Sequence, residues 1–141
     1  MILDKAMEIS AAQAVTVDAA SSKCIDLGPP SYTGMSNGHT GEPIALLVTV
    51  DETVTADGAA TVTIQVRSSA SADMSSPVVH FQSAAIPKAS LTAGAKVPFM
   101  PFIPLDAKRY VDVYFDVGTG PLTAGKFTIR GAAARDLALG A

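Results

Sequence analysis

The sequence is poor in the residue types that mark several common classes of protein. It has one cysteine and no tryptophan, and only 16% of its 141 residues are charged. A single cysteine, Cys24, excludes an intrachain disulfide, so burial and backbone hydrogen bonds must hold the fold together. In its setting, Lys-Cys-Ile-Asp-Leu, Cys24 is predicted to be a small buried hydrophobe rather than a nucleophile.

Charge and hydrophobicity exclude two kinds of partner. The net charge is −3, with acidic and basic residues interspersed, so there is no basic patch for nucleic acid. The longest apolar runs, such as Ile44 to Val48, fall far short of the roughly 20 residues that cross a bilayer. Asp4 and Glu8 interrupt the apolar stretch that a signal peptide needs, so we expect the chain to be made in a cytoplasm.

Neither a metal site nor a cofactor site is indicated. The two histidines, His39 and His80, have no recognised ligand spacing with Cys24. His39 lies in a glycine-rich stretch, and His80 is predicted to face outward on a strand. Asp51-Glu52 and Asp57-Gly58 fit a strand end and a turn better than a calcium loop.

The string Gly120 to Lys126 matches the phosphate-binding pattern G-x-x-x-x-G-K, but Phe127 follows where Ser or Thr must hold the magnesium ion. The pattern also needs a helix after it, whereas Lys126 begins an alternating strand. We therefore interpret the string as a hairpin turn. No Gly-x-Ser-x-Gly elbow is present, and the sequence predicts no enzyme and no catalytic residues.

Apolar residues recur at every second position, which is typical of half-buried strands. The clearest alternation runs over Thr61 to Arg67, and it recurs over Arg109 to Val117 and Lys126 to Arg130. The last two are predicted to form a long hairpin. Ile44 to Asp51 alternates less cleanly because Leu47 has the opposite parity, which indicates a central strand covered in part on both faces.

Weaker strands are predicted elsewhere, and prolines at 98, 101 and 104 indicate that the last of them is an edge strand or an irregular arm. They are Val15 to Asp18, Cys24 to Leu27, Val78 to Gln82 and Lys96 to Met100.

Together these segments predict one all-β domain over residues 1–141, an antiparallel β-sandwich of jelly-roll or immunoglobulin-like topology. We expect an irregular amino-terminal arm over residues 1–13 and one long loop over residues 28–43. Residues 131–141 are expected to continue the last strand and then form a tail.

Several segments follow one another in the same order as in a family of phage proteins. They are Ile2 to Lys5, Ala12 to Val15, Ile25 to Gly28, Leu47 to Asp51, Ala59 to Val66 and Val117 to Lys126. In this order the chain resembles the capsid cement, or decoration, proteins of short-tailed phages. It departs from their pattern in its longer loop over residues 28–43 and in the proline-rich Phe99 to Pro104.

The resemblance implies a jelly-roll-like sandwich that binds the outside of a phage head and stabilises the shell at contacts between major capsid protein subunits. It implies a virion location on the capsid exterior, assembly in the host cytoplasm, frequent homodimers, and neither catalytic residues nor cofactors. We expect the capsid contacts to come from apolar side chains outside regular sheet structure: Ile2, Leu3, Tyr32, Met35, Phe99, Met100 and Phe102.

The alternative is a phage adhesion or carbohydrate-binding module of β-sandwich fold. Its candidate sugar platforms are Tyr32, Tyr110 and Tyr114, since the chain has no tryptophan.

Overall fold

The computed structural model describes residues 8–26, 44–95, 97, 102–103 and 107–133. These residues contain nine strands and a short 3-10 helix at Lys88–Ser90. The strands are β1 (Glu8–Ala14), β2 (Ala19–Ala20), β3 (Ile25–Asp26), β4 (Ile44–Thr55), β5 (Thr61–Ser69), β6 (Val78–Gln82), β7 (Ile86–Pro87), β8 (Tyr110–Gly118) and β9 (Ala124–Ala133).

The strands form two antiparallel sheets. In the smaller sheet the order is β1-β9-β4. In the larger sheet β5 and β8 pair along their whole length, β2 and β3 pair with the other side of β8, and β6 and β7 pair with the other side of β5. The predicted all-β antiparallel sandwich is confirmed.

Leu91, Gly94, Val97 and Phe102 lie along the remaining edge of β4. Their contacts run antiparallel: the Val54 N–H donates to Leu91 O (2.9 Å), the Gly94 N–H to Val50 O (2.8 Å) and the Val97 N–H to Val48 O (3.1 Å), and Phe102 forms an isolated bridge with Ala45. When these edge residues are counted, each sheet has four strand positions side by side within the described ranges. The order in which the chain passes between the two sheets is that of a jelly roll. Of the predicted strand at 96–100, only Val97 lies within the described residues.

The core lies between the sheets and is built by alternation. On β5, Val62, Ile64 and Val66 are fully buried and the residues between them are half-buried. From the facing sheet, Phe127 of β9 packs against Phe115 of β8 with ring centroids 4.8 Å apart. This contact joins the centres of the two sheets.

β4 is buried on both faces over part of its length, as its mixed parity predicts. Leu46 and Val48 belong to the main core. Ala45 and Leu47 form a second buried cluster. This position explains why the apolar run of β4 is nearly continuous.

The predicted hairpin between the strands around Tyr114 and Phe127 is wrong. β8 and β9 belong to different sheets, and the chain crosses from one sheet to the other through Thr119 and Gly120, whose φ angles are +62° and +88°. Both strands put apolar side chains on one face, and alternation is the same whether two strands pair edge to edge or face each other across a core. The sequence pattern therefore could not separate the two arrangements.

The amino-terminal predictions need correction too. Residues 8–13, predicted as part of an irregular arm, belong to β1, which pairs with β9 through two register shifts. The strand predicted at Val15 to Asp18 is instead a bend between β1 and β2. Small and polar residues in β1 and a positive φ of 48° at Ala12 break its alternation, which hid the strand. Residues 1–7 lie outside the described part of the chain.

Other predicted boundaries fit in part. The strand predicted at Cys24 to Leu27 is present as the two-residue β3, and residues 131–133 continue the last strand as expected. The long loop over residues 28–43 and the tail beyond residue 133 lie outside the described residues.

Truncating Phe115 to Ala should lower the free energy of unfolding by about 3–5 kcal/mol, because it opens a cavity at the contact between the sheets. Phe102→Ala is the matched control. It removes the same atoms from a side chain that is 49% exposed and should cost under about 1 kcal/mol. Urea denaturation measures both, and equal losses would contradict this packing.

Candidate interaction surfaces

The structure describes one of the seven capsid-contact residues predicted from the sequence. Phe102 is 49% exposed and bridges to Ala45 at the edge of the smaller sheet. The other six, Ile2, Leu3, Tyr32, Met35, Phe99 and Met100, lie outside the described residues. The capsid-contact role of these seven residues therefore stays a prediction.

A different group of apolar side chains is exposed on β6. Val78, Val79 and Phe81 are 42%, 47% and 43% exposed. β6 ends the order of the larger sheet, and within the described ranges no strand pairs with its outer edge. We call Val78, Val79, Phe81 and the free backbone edge beside them the β6 surface.

A bulge places these apolar groups on both faces of the sheet. Phe81 is opposite Val66 and Val79 is opposite Arg67, so one step along β5 spans two residues of β6 and leaves His80 as the extra residue. Because cross-strand partners share a face, Phe81 lies on the core side beside buried Val66, and Val79 lies on the outer side.

A hydrogen bond between the His80 side chain and β5 stabilises the bulge. Nε2 of His80 lies 2.6 Å from Oγ of Ser68, which is fully buried and also accepts a hydrogen bond from the Lys108 N–H. His80 is half-buried. The predicted outward position of this histidine is therefore wrong, because the extra residue of a bulge breaks the strict alternation on which that prediction rested.

The sequence carried a signal for the β6 surface. The string Val-Val-His-Phe-Gln lacks both alternation and charge. Edge strands are usually protected by charged residues, prolines or bulges, and β6 has only the bulge within its span. An uncharged, apolar strand at a sheet edge is typical of a surface that pairs with another chain.

The outer face of the larger sheet is polar, and the charge of Arg67 on this face is paired with that of Asp112. Nε and Nη2 of Arg67 donate to Oδ1 and Oδ2 of Asp112 at 3.0 and 2.7 Å. The Asp112 side chain is 2% exposed and that of Arg67 13%, and the guanidinium also lies 4.4 Å from the centre of the Tyr114 ring. These contacts fix the three side chains together.

The two described tyrosine candidates are poor sugar platforms. Arg67 covers one face of Tyr114, and the Arg109 guanidinium lies 5.1 Å from the centre of the Tyr110 ring while it also binds Asp26 in two hydrogen bonds. Sugar stacking needs an open ring face, and in both tyrosines an arginine guanidinium covers one face of the ring. Tyr32 lies outside the described residues.

A polar depression of about 330 Å³ lies beside this ion pair, and its lining includes Ser21, Lys23, Cys24, Asp73 and Met74. Burial raises the pKa of the Cys24 thiol, and the nearby Asp112 carboxylate raises it further. The thiol lies 3.8 Å from the Ala72 carbonyl oxygen, and Cys24 is half-buried. It is poorly suited to act as a nucleophile, because nucleophilic attack requires the thiolate.

The phosphate-like string has a structural explanation. Gly125 and Lys126 lie in β9, with no helix after them up to residue 133. A Cβ on Gly125 would meet Cγ2 of Val54 at 3.0 Å, so close packing accounts for the glycine. Nζ of Lys126 lies 3.7 Å from Oε2 of Glu52.

The described residues lack two features. They contain no group of three or more His, Cys, Asp or Glu that could hold a metal ion. They also contain no helix long and apolar enough to cross a membrane.

The chain belongs to the Bbp16 family, whose model matches residues 9–130. The match begins in β1 and ends in β9, so it spans both sheets. No curated protein matches the chain.

Asp112→Ala should destabilise the protein by about 3–5 kcal/mol, because it leaves the Arg67 guanidinium without its carboxylate. A double-mutant cycle with Arg67→Ala should give a coupling above about 1 kcal/mol in urea denaturation. The exposed Arg109–Asp26 pair is the control and should give a much smaller coupling. Equal couplings would show that burial does not strengthen the Arg67–Asp112 pair.

Cys24 should react with iodoacetamide several-fold more slowly in the folded protein than in urea at the same pH, because a raised pKa lowers the thiolate fraction at neutral pH. The rate in the folded protein should still be rising at alkaline pH values where that of the unfolded chain has levelled off. Mass spectrometry of the alkylated chain measures both rates. A faster reaction in the folded state would contradict the direction of the pKa shift.

Proposed function

We propose that this protein is a capsid cement, or decoration, protein. It binds the outer surface of a phage head and stabilises the shell at contacts between major capsid protein subunits. The resemblance to cement proteins of short-tailed phages supports this function, and the family name suggests a phage-related protein. Assembly would take place in the host cytoplasm, and the resemblance favours a homodimer as the binding unit.

The β6 surface is the main structural support for this proposal. Protein-binding surfaces place apolar side chains at the centre of the contact, where water is excluded, and Val78, Val79 and Phe81 are exposed in that way. A catalytic or sugar-binding role would instead require converging polar groups or an open aromatic ring.

The charged groups of the described surface favour the same conclusion. Four cationic side chains are already paired within the chain: Arg67 with Asp112, Arg109 with Asp26, Lys126 with Glu52 and Arg130 with Glu8. Ion pairs formed within the molecule leave these charges less available to a partner. The proposal therefore assigns the affinity of the β6 surface to apolar contact and backbone hydrogen bonding.

The stabilisation follows from linkage. A protein that binds the assembled shell and not its separated subunits lowers the free energy of the shell by an amount that grows with its concentration over Kd. Because many copies bind one particle, a modest free energy at each site adds up to a large resistance to rupture.

Shells that lack this protein should rupture at a lower temperature than complete shells, and adding the purified protein should restore the higher rupture temperature.

Val79→Lys should weaken binding to shells at least tenfold, because it puts a charge on the β6 surface. Val17→Lys is the matched control, since Val17 is 59% exposed in the bend after β1 and should tolerate the change. Light scattering during heating and co-sedimentation with shells measure the two effects.

If shells with and without the protein rupture at the same temperature, the proposed cement function is wrong. A glycan array tests the adhesion alternative at the same time. Binding of a defined sugar that is lost in Tyr114→Ala would favour that alternative over the shell.

A further inference from the structure

We propose that the outer edge of β6 takes up one strand from the shell: an extended, uncharged segment of a major capsid protein subunit pairs with it and lengthens the larger sheet. This inference rests on the proposed function and specifies how the contact is made. Addition of a strand to an open sheet edge is an established mode of peptide recognition.

The backbone of β6 is oriented for this pairing. The Ser83 N–H donates to Ile64 O of β5 at 2.9 Å. Alternate residues of a strand direct their N–H groups to the same side, so the N–H of the preceding residue, Gln82, points away from β5 toward the open edge. No strand of the described ranges lies there to accept it.

The length of the edge is bounded by two prolines. Pro77 immediately precedes β6, and Pro87 ends β7, which pairs with the same side of β5. Proline has no N–H to donate, so it stops a ladder of backbone hydrogen bonds. The free edge therefore suits a short strand.

The side chains of β6 select an uncharged segment. Phe81 on one face and Val79 on the other would both pack against an incoming strand, which presents alternate residues to each face. β6 carries no charged residue, and the neighbouring Arg67 is already paired with Asp112. A charged residue on the incoming strand would lose water without gaining a partner.

The small size of the patch favours the shell over a second copy of this chain. A stable complex buries about 800 Å² on each partner. The partly exposed side chains Val78, Val79 and Phe81 supply only a fraction of that area. A shell that already holds the protein through other contacts presents its segment at a high effective concentration, so a small patch is sufficient.

Gln82→Pro tests the backbone contact directly, with Gln82→Ala as the matched control. Both variants lose the exposed hydrogen bond from Gln65 Nε2 to Gln82 Oε1 (3.0 Å), but only proline also removes the N–H at the open edge. Gln82→Pro should weaken binding to purified shells at least tenfold, and Gln82→Ala should stay within twofold of the wild type. Circular dichroism and thermal unfolding check that both variants fold.

Hydrogen exchange of the wild-type protein gives a second test that needs no variant. The amide of Gln82 should exchange at least tenfold more slowly in the shell-bound protein than in the free protein. If Gln82→Pro does not fold, this measurement alone decides, and unchanged exchange at Gln82 would overturn the inference.

The outcomes separate this inference from the proposed function. If wild-type protein strengthens shells and Gln82→Pro binds them as well as Gln82→Ala does, strand addition is wrong and the cement function stands. If wild-type protein does not bind shells, the cement function itself fails. A dimer in sedimentation velocity that only Gln82→Pro abolishes would assign the edge to a second copy, which also contradicts the inference.

Discussion

The rings of Phe115 and Phe127 pack against each other in the core and hold the two sheets together. Their contact joins β8, at the centre of the larger sheet, to β9, at the centre of the smaller one. With one cysteine and no disulfide, the chain relies on this interface and on the valines and isoleucines around it to hold the two sheets together. The left-handed turn at Thr119 and Gly120 lets two neighbouring strands face each other instead of pairing.

Once the sheets close, the remaining surfaces differ in what they offer a partner. The outer face of the larger sheet is occupied by its own ion pair and by tyrosines covered by arginines. The β6 surface has a free backbone edge because β6 ends the larger sheet, and the bulge at His80 turns its apolar side chains to both faces. The proposed cement function therefore assigns different roles to two parts of one sheet: β5 and β8 supply rigidity, and β6 supplies the contact.

Strict alternation predicted much of this architecture. The β5 pattern gave the correct buried set of Val62, Ile64 and Val66, and the parity of Leu47 correctly indicated burial on both faces of β4. Alternation is a local property, so it could not tell a hairpin from two strands that face each other across a core. It also failed at β1 and at His80, where register shifts change the direction of side chains. The β6 surface was missed because contacts were expected only outside regular strands.

Solution NMR can establish whether β8 and β9 pack face to face. Face-to-face packing predicts nuclear Overhauser contacts between the ring protons of Phe115 and Phe127. It also predicts cross-strand backbone contacts of Thr128 with Thr49 of β4. Backbone contacts between β8 and β9 in a hairpin register, with none between Thr128 and Thr49, would contradict it.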